Sequence, residues 1–208
     1  MMKTLMVVDD FLPDPMAHRA QALALDFPTP DALPNFAGRN SSAPLPVPNV
    51  DQAVSAAVSE PVVGVQQFGH GKCRLSLAAD DATRRFYVHV DAGAYWAGVL
   101  YLNPPEHCTG GTEFFRHKEL GTDRAPIYEH EMKAAGASNY REAAEPVIAA
   151  DSSDLDKWQH LLTVPMRFNR LILLRPWLWH AAGPSFGDDR ESGRLVQLFF
   201  FLPSQPPG

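Results

Sequence analysis

The apolar residues of this chain come in short runs, and that limits its fold more than any other feature. Val62 to Phe68, Cys73 to Leu77, Phe86 to Val90, Gly98 to Leu102, Glu113 to Phe115, Leu161 to Val164, Arg170 to Leu174 and Leu195 to Leu202 are short stretches separated by Gly, Pro and Asp. Such lengths and punctuation are strand-like and too short for stable helices. Leu5 to Val8 reads as a further strand, ended by Asp9-Asp10. About seven or eight strands in succession suit a sandwich or barrel, and a jelly roll meets that number.

Helices are expected at fewer places. Asp14-Pro15 pairs a capping side chain with proline at the first helical position, predicting a helix to about Phe27 with Ala20, Leu23 and Phe27 on one face. Asn49 is placed to cap a second short helix, DQAVSAAVSE. Between them the Pro-rich segment from Pro28 to Pro48 cannot hold a helix and reads as a long irregular loop. Loops of that length either bind something, here as a lid or substrate loop, or wrap the surface. Residues 117 to 160 turn charged and alanine-rich, which predicts an insertion with one or two helices, capped at Ser138/Asn139 and Ser152/Ser153. The expected class is mainly β (α+β), one domain over residues 1–208.

Composition narrows the function. With 208 residues, 45% hydrophobic and 20% charged, the chain can bury a real core and is not a disordered one. A net charge of −6 without any Lys/Arg run argues against a nucleic-acid partner. No apolar stretch nears the roughly 20 residues that cross a bilayer, so no membrane partner is expected. The first apolar run breaks at Asp9-Asp10 and makes a poor signal peptide. Cys73 and Cys108 cannot form a disulfide framework, and the expected location is cytoplasmic.

Two strings carry the chemistry, HVDAGAYWAGVLYLNPPEHCTGGTEFF and NRLILLRPWLWHAAGPSFGDDRESGRLVQLFFF. In an extended strand residues i and i+2 share a face, so His89 and Asp91 can converge on one ion. With a distant histidine they would make a two-histidine, one-carboxylate facial set that leaves metal positions open. An isolated HxD is weak, because a strand-end histidine bonded to a turn carboxylate looks the same. His117-Lys118-Glu119 offers a competing pair, read here as a solvated charge cluster in the polar insertion. The rest of the strings adds weight. Paired Gly110-Gly111 precede a strand and permit close backbone approach; His180 follows an apolar strand; Gly193-Arg194 opens the most apolar strand. A buried arginine needs an anion, and its guanidinium grips a carboxylate with two parallel bonds.

In this order, HVD, YLN, GGTEFF, a late histidine and an arginine before the final strand, the sequence resembles the Fe(II)- and 2-oxoglutarate-dependent dioxygenases, in the branch that includes the prolyl hydroxylases. The resemblance covers about residues 70 to 202, with an echo in the N-terminal VVDDFLP and helix. It implies a double-stranded β-helix (jelly roll, cupin-like) flanked by N-terminal helices. It implies that His89, Asp91 and His180 bind Fe(II) and that Arg194 holds the distal carboxylate of 2-oxoglutarate. It further implies O2-dependent hydroxylation of an amino acid, peptide or small natural product, with succinate and CO2 as coproducts. A carboxylate at Asp91, where related halogenases leave room for a halide, favours hydroxylation. Where the family often reads Gly-Gly-Glu-Thr, this chain has Gly110-Gly111-Thr112-Glu113; Arg190 has the family's closer spacing to His180, but it sits in a polar loop where solvation is expected.

Tyr101 and Thr112 are candidates to touch 2-oxoglutarate, with core packing as the other reading for both. Trp96, Trp177 and Trp179 could line the pocket, although core packing is favoured, and Arg39 could hold a substrate carboxylate against a plain reading as a solvated loop residue. His70, His107, His130 and His160 have no spacing partner. Two alternatives stay open: a non-catalytic jelly-roll binding or scaffold protein with a degenerate metal site, and a zinc or other metal enzyme on a cupin-like barrel. Neither the prime substrate nor the oligomeric state has a sequence signature.

Overall fold

The structure, a computed structural model, describes residues 2–29, 36–83, 87–91 and 93–204. In chain order the strands are β1 (Leu5–Val8), β2 (Arg39–Pro44), β3 (Val62–Gly64), β4 (Lys72–Ser76), β5 (Trp96–Tyr101), β6 (Gly111–His117), β7 (Trp158–Pro165), β8 (Leu171–Leu174), β9 (His180–Ala181) and β10 (Arg194–Pro203). The helices are α1 (Pro15–Ala24), α2 (Val50–Val58), α3 (Glu129–Ala134) and α4 (Tyr140–Asp151). The fold is α+β, with antiparallel strand pairings and few helices. One sheet runs β1-β8-β5-β10-β4-β2, with β3 also paired to β10, and a second runs β7-β6-β9.

Period-two alternation decides what each strand shows to each side. Along β10, Leu195, Phe199 and Phe201 pack into the cluster that α1 and α2 complete with Ala22, Leu23, Val54 and Val58. The intervening Val196, Leu198 and Phe200 point to the other face, toward Phe114 and Val164 of the second sheet. β5 and β8 alternate likewise, sending Leu100, Leu171 and Leu173 to the helices and Ala97, Ile172 and Leu174 between the sheets. Burying each such Leu, Ile or Phe contributes about 1.5–3 kcal/mol. The exception on the helix-facing side is Gln197, whose amide is fully satisfied. Its Nε2 donates to Leu45 O (2.6 Å) and Gly71 O (2.9 Å), and its Oε1 meets His18 Nε2 at 2.7 Å.

A third cluster covers the outer face of the second sheet, where α4 places Ala144, Tyr140, Val147 and Ile148 against Phe115, Trp158, Trp179 and Ala181. The insertion is therefore a packed layer as well as a connection. Asn139 caps α4 as expected, accepting the Glu142 N–H at 3.1 Å, whereas Ser152 ends that helix and starts none.

Other expectations need correction. The Pro28–Pro48 segment holds β2, which pairs with β4 at the sheet edge. An edge strand tolerates proline because one side of its ladder needs no donors, and a register shift lies between Asn40 and Pro44. Residues 30–35 of that segment lie outside the described residues. Helix α1 stops at Ala24 and leaves Ala20 exposed; Leu25 is already extended, in keeping with the approach to Pro28. In its place Arg19 is buried, donating to Glu191 Oε2 (3.0 Å) and Glu191 O (2.8 Å). Asn49 precedes α2 in a left-handed conformation and makes no side-chain cap. The run at 86–90 contributes one bridge at His89, and Phe86 lies outside the described residues. Strand β9 was too short to be seen as a run. No described helix is long and apolar enough to cross a membrane.

Candidate metal centre

His89 and His180 face each other across an antiparallel bridge. His89 N donates to His180 O at 2.9 Å, and His180 N donates to His89 O at 3.1 Å. Residues paired in this way project their side chains to one face, and the imidazole centres are 4.4 Å apart. Asp91, two residues after His89, joins that face, its backbone N–H held by Pro176 O at 2.8 Å. The Asp91 carboxylate lies 3.8 Å from His89 Nε2 and 3.4 Å from His180 Nε2. One ligand atom from each of the three residues falls within 4.8 Å of the other two. Ligands about 2.1 Å from a common ion and at right angles are about 3 Å apart, so small rotations gather this set.

Each histidine also has its outward nitrogen fixed. His89 Nδ1 meets Tyr87 O at 2.9 Å, and His180 Nδ1 meets Leu178 O at 2.8 Å. A carbonyl only accepts, so Nδ1 carries a proton in both rings and Nε2 is the nitrogen that faces the cluster. Burial, with His180 beside it, pushes the His89 pKa down to about 4, against the pull of Asp91. Burial raises that of Asp91, but His180, His89 and Arg74 outweigh it and hold the carboxyl below its usual range. For His180 burial acts downward, and the Asp91 hydrogen bond and charge carry the pKa above its ordinary value. Two imidazoles and an ionised carboxylate, with one side open, suit a divalent transition metal.

The open side is a cavity of about 210 Å³ between the sheets. Arg194, Val196, Leu198 and Phe200 of β10 line it in alternation, with Thr112 of β6 and Arg74 of β4. Arg194 is only 3% exposed, and its Nε has no hydrogen-bond partner. Its guanidinium carbon lies 5.9 Å from the centre of the Tyr101 ring. Burial depresses its pKa, while Tyr101 and Asp81 work the other way. Asn103 fixes the backbone on both sides of Arg194, donating to Gly193 O (2.8 Å) and accepting from Leu195 N (2.7 Å). Thr112 lines the cavity, and its Oγ1 is 2.8 Å from the hydroxyl of Tyr101, which is fully buried and does not line it.

Two glycines permit close backbone packing at the start of β6 and after His180. A Cβ on Gly111 would stand 2.0 Å from Val164 O, and one on Gly183 would stand 2.4 Å from Gly111 O. Only glycine lets β6, β7 and the segment after His180 approach this closely.

Other candidates fall outside the cavity. Trp96 and Trp179 are fully buried in separate clusters, and Trp177 packs against the outer one. Arg39 begins β2 opposite Leu75. His117 is no solvated cluster member. It ends β6 buried, with Nε2 donating to Asp151 Oδ2 at 2.9 Å while Nδ1 accepts the Leu120 N–H. Arg190 is anchored, donating to Leu23 O (2.8 Å) and Leu25 O (3.1 Å) at the C-terminal end of α1. Among the described residues, His89, Asp91 and His180 form the one cluster able to hold a metal.

Three contributors were missed in the sequence. Arg74 was legible in principle, since alternation in Lys-Cys-Arg-Leu-Ser puts it opposite two apolar residues. Tyr140 and Ser152 were not, because only folding brings the insertion behind the ligand strand. The Tyr140 hydroxyl donates to Asp91 O (2.7 Å), and Ser152 Oγ donates to Val88 O (2.7 Å) and accepts from Tyr87 N (2.9 Å).

No curated protein matches this sequence. A model of a family of unknown function, DUF6445, matches residues 2–201, and the chain belongs to that family.

Proposed function

We propose that this protein is an Fe(II)- and 2-oxoglutarate-dependent dioxygenase that hydroxylates a small-molecule or peptide substrate, releasing succinate and CO2. The observation that carries the reading is the company Arg194 keeps. A buried guanidinium with an unpartnered Nε lines the same cavity as a two-histidine, one-carboxylate cluster. A charge so buried, only partly offset by Tyr101 and Asp81, calls for a further anion. A dicarboxylate that also reaches the metal supplies one.

In this reading the two sheets are the halves of a double-stranded β-helix, with the ligand segment and β9 at its open end. His89, Asp91 and His180 hold Fe(II), and Arg194 takes the distal carboxylate of 2-oxoglutarate. Thr112 offers its hydroxyl to the same carboxylate, and Tyr101 orients Thr112. Metal and cosubstrate, when bound, supply the oxidising chemistry with O2. The protein holds the imidazole tautomers through Tyr87 O and Leu178 O and keeps Asp91 ionised. The apolar walls at Val99, Leu198 and Phe200 exclude water around the reacting C–H bond.

The test is anaerobic addition of Fe(II) and 2-oxoglutarate. A visible charge-transfer band, followed by succinate formation in air, is the expected result. Both are lost in His180→Ala. Metal affinity equal in wild type and His180→Ala, or no band in wild type, overturns the proposal; turnover without 2-oxoglutarate would instead indicate another metal chemistry.

A further inference from the structure

Arg74 is a cavity-lining charge to which the proposed function gives no task. In β4, Cys73 and Leu75 join the helix-facing core, while Arg74 lines the cavity and Ser76 a smaller recess that Arg74 shares. Arg74 pairs in register with Val196 and Ser76 with Arg194, so the two arginines are diagonal neighbours on one sheet face. Arg74 Nε donates to Asn40 Oδ1 at 2.8 Å, and its guanidinium carbon lies 5.6 Å from the centre of the Phe36 ring. These contacts orient a planar fork whose terminal nitrogens have no hydrogen-bond acceptor among the described residues. Among the described residues, the charges that bear on it are Asp91 and Arg194.

We propose that Arg74 binds the carboxylate of the prime substrate, and that this substrate is a small organic acid with an apolar body. The inference rests on the dioxygenase reading of the site. A 2-oxoglutarate that spans from the metal to Arg194 has both carboxylates engaged and none left for Arg74. A metal on Asp91 also draws away the one anion that acts on Arg74 among the described residues. The cavity lining then keeps a positive excess that the dianion only partly cancels, and one further carboxylate closes it. Phe36, Phe68, Val99, Leu198 and Phe200 give the rest of the ligand apolar walls.

The experiment is calorimetric titration, without oxygen, of protein loaded with Fe(II) and 2-oxoglutarate. The probes are 3-phenylpropionate, 4-methylpentanoate and N-acetyl-L-leucine, each against its primary amide. Wild type should bind at least one acid about tenfold or more tightly than its amide, the scale of one charge-assisted contact. Arg74→Gln should erase that preference while 2-oxoglutarate affinity stays within about twofold, and Arg74→Lys should keep part of it. Absence of any acid preference in wild type, its survival in Arg74→Gln, or equal loss in the Lys and Gln variants overturns the proposal. So does a fall in 2-oxoglutarate affinity in Arg74→Gln, which would make Arg74 a cosubstrate ligand. Wild type that binds neither Fe(II) nor 2-oxoglutarate overturns the dioxygenase reading itself, whereas intact cosubstrate binding without acid preference overturns only the role of Arg74.

Discussion

Replacing Arg194 by Met should separate stability from binding in opposite directions. The side chain is 3% exposed with an unpartnered Nε, so the unliganded protein carries a desolvated cation that Tyr101 and Asp81, among the described residues, offset in part. Methionine has similar reach and no charge to desolvate. Exchanges of buried charge for apolar side chains are neutral to stabilising by about 1–4 kcal/mol. Because Tyr101 and Asp81 already offset part of the cost, about 1–2 kcal/mol is expected, which raises Tm by about 2–8 °C in a chain of this size. The same change removes two charge-assisted hydrogen bonds to a carboxylate, each worth about 1.5 kcal/mol or more. The affinity for 2-oxoglutarate should then fall by about a hundredfold or more. Thermal unfolding of metal-free protein and anaerobic titration of metal-loaded protein read the two effects. A less stable Arg194→Met with unchanged 2-oxoglutarate affinity would show that the arginine is a structural cation, satisfied within the fold, and would refute the reasoning.

Tyr140→Phe removes the hydroxyl that donates to Asp91 O and should weaken divalent metal binding by about tenfold, as loss of an outer support does, with the far-ultraviolet spectrum unchanged. Metal titration by calorimetry checks it; unaltered affinity would mean that Pro176 O suffices to hold Asp91. Glu60→Gln concerns stability alone. Burial raises the Glu60 pKa, but the Trp96 indole N–H and the Arg175 charge outweigh this and hold it below the usual range. A depressed folded-state value means the group stabilises above its unfolded pKa, and that contribution is lost as pH falls through the folded one. Glu60→Gln should therefore cost about 2 kcal/mol at neutral pH, since Arg175 is left buried between Tyr95 and Trp96. Its urea-unfolding stability should decline less steeply than wild type on acidification below about pH 4.5. Parallel decline in both proteins would refute the linkage.

The strand succession was legible because each run carries its own pattern. β4, β5, β8 and β10 read correctly since alternation and flanking Gly, Pro or Asp are local properties. Strand β2 was hidden because Arg39 to Pro44 carries no apolar alternation and lies among prolines, and its place at the sheet edge makes Pro44 tolerable. β9 was hidden by having two residues, their geometry set by pairing with β6 and His89. At the site, the spacing of His89 and Asp91 located one half of the cluster, and His180 joins them in space. Tyr101 marks the limit of such reading. It lies at the site yet turns toward Thr112 and not into the cavity, a distinction fixed by packing. His117 was misjudged for the complementary reason. Its half-buried partner, Asp151, lies across the insertion, and no local pattern announces a contact between β6 and the end of α4.

The reciprocal main-chain bonds between His89 and His180 have a mechanical consequence. The two imidazoles ride on a single rung, so bending or shear of the sheet carries them together and leaves their spacing intact. Asp91 hangs from different anchors, at Pro176 and Tyr140. It is the movable jaw of the clamp. Adjusting the grip to an ion of another radius is thus a matter for the neighbours of one carboxylate, and a designer wishing to retune it has two supports to alter while the histidine rung stays untouched.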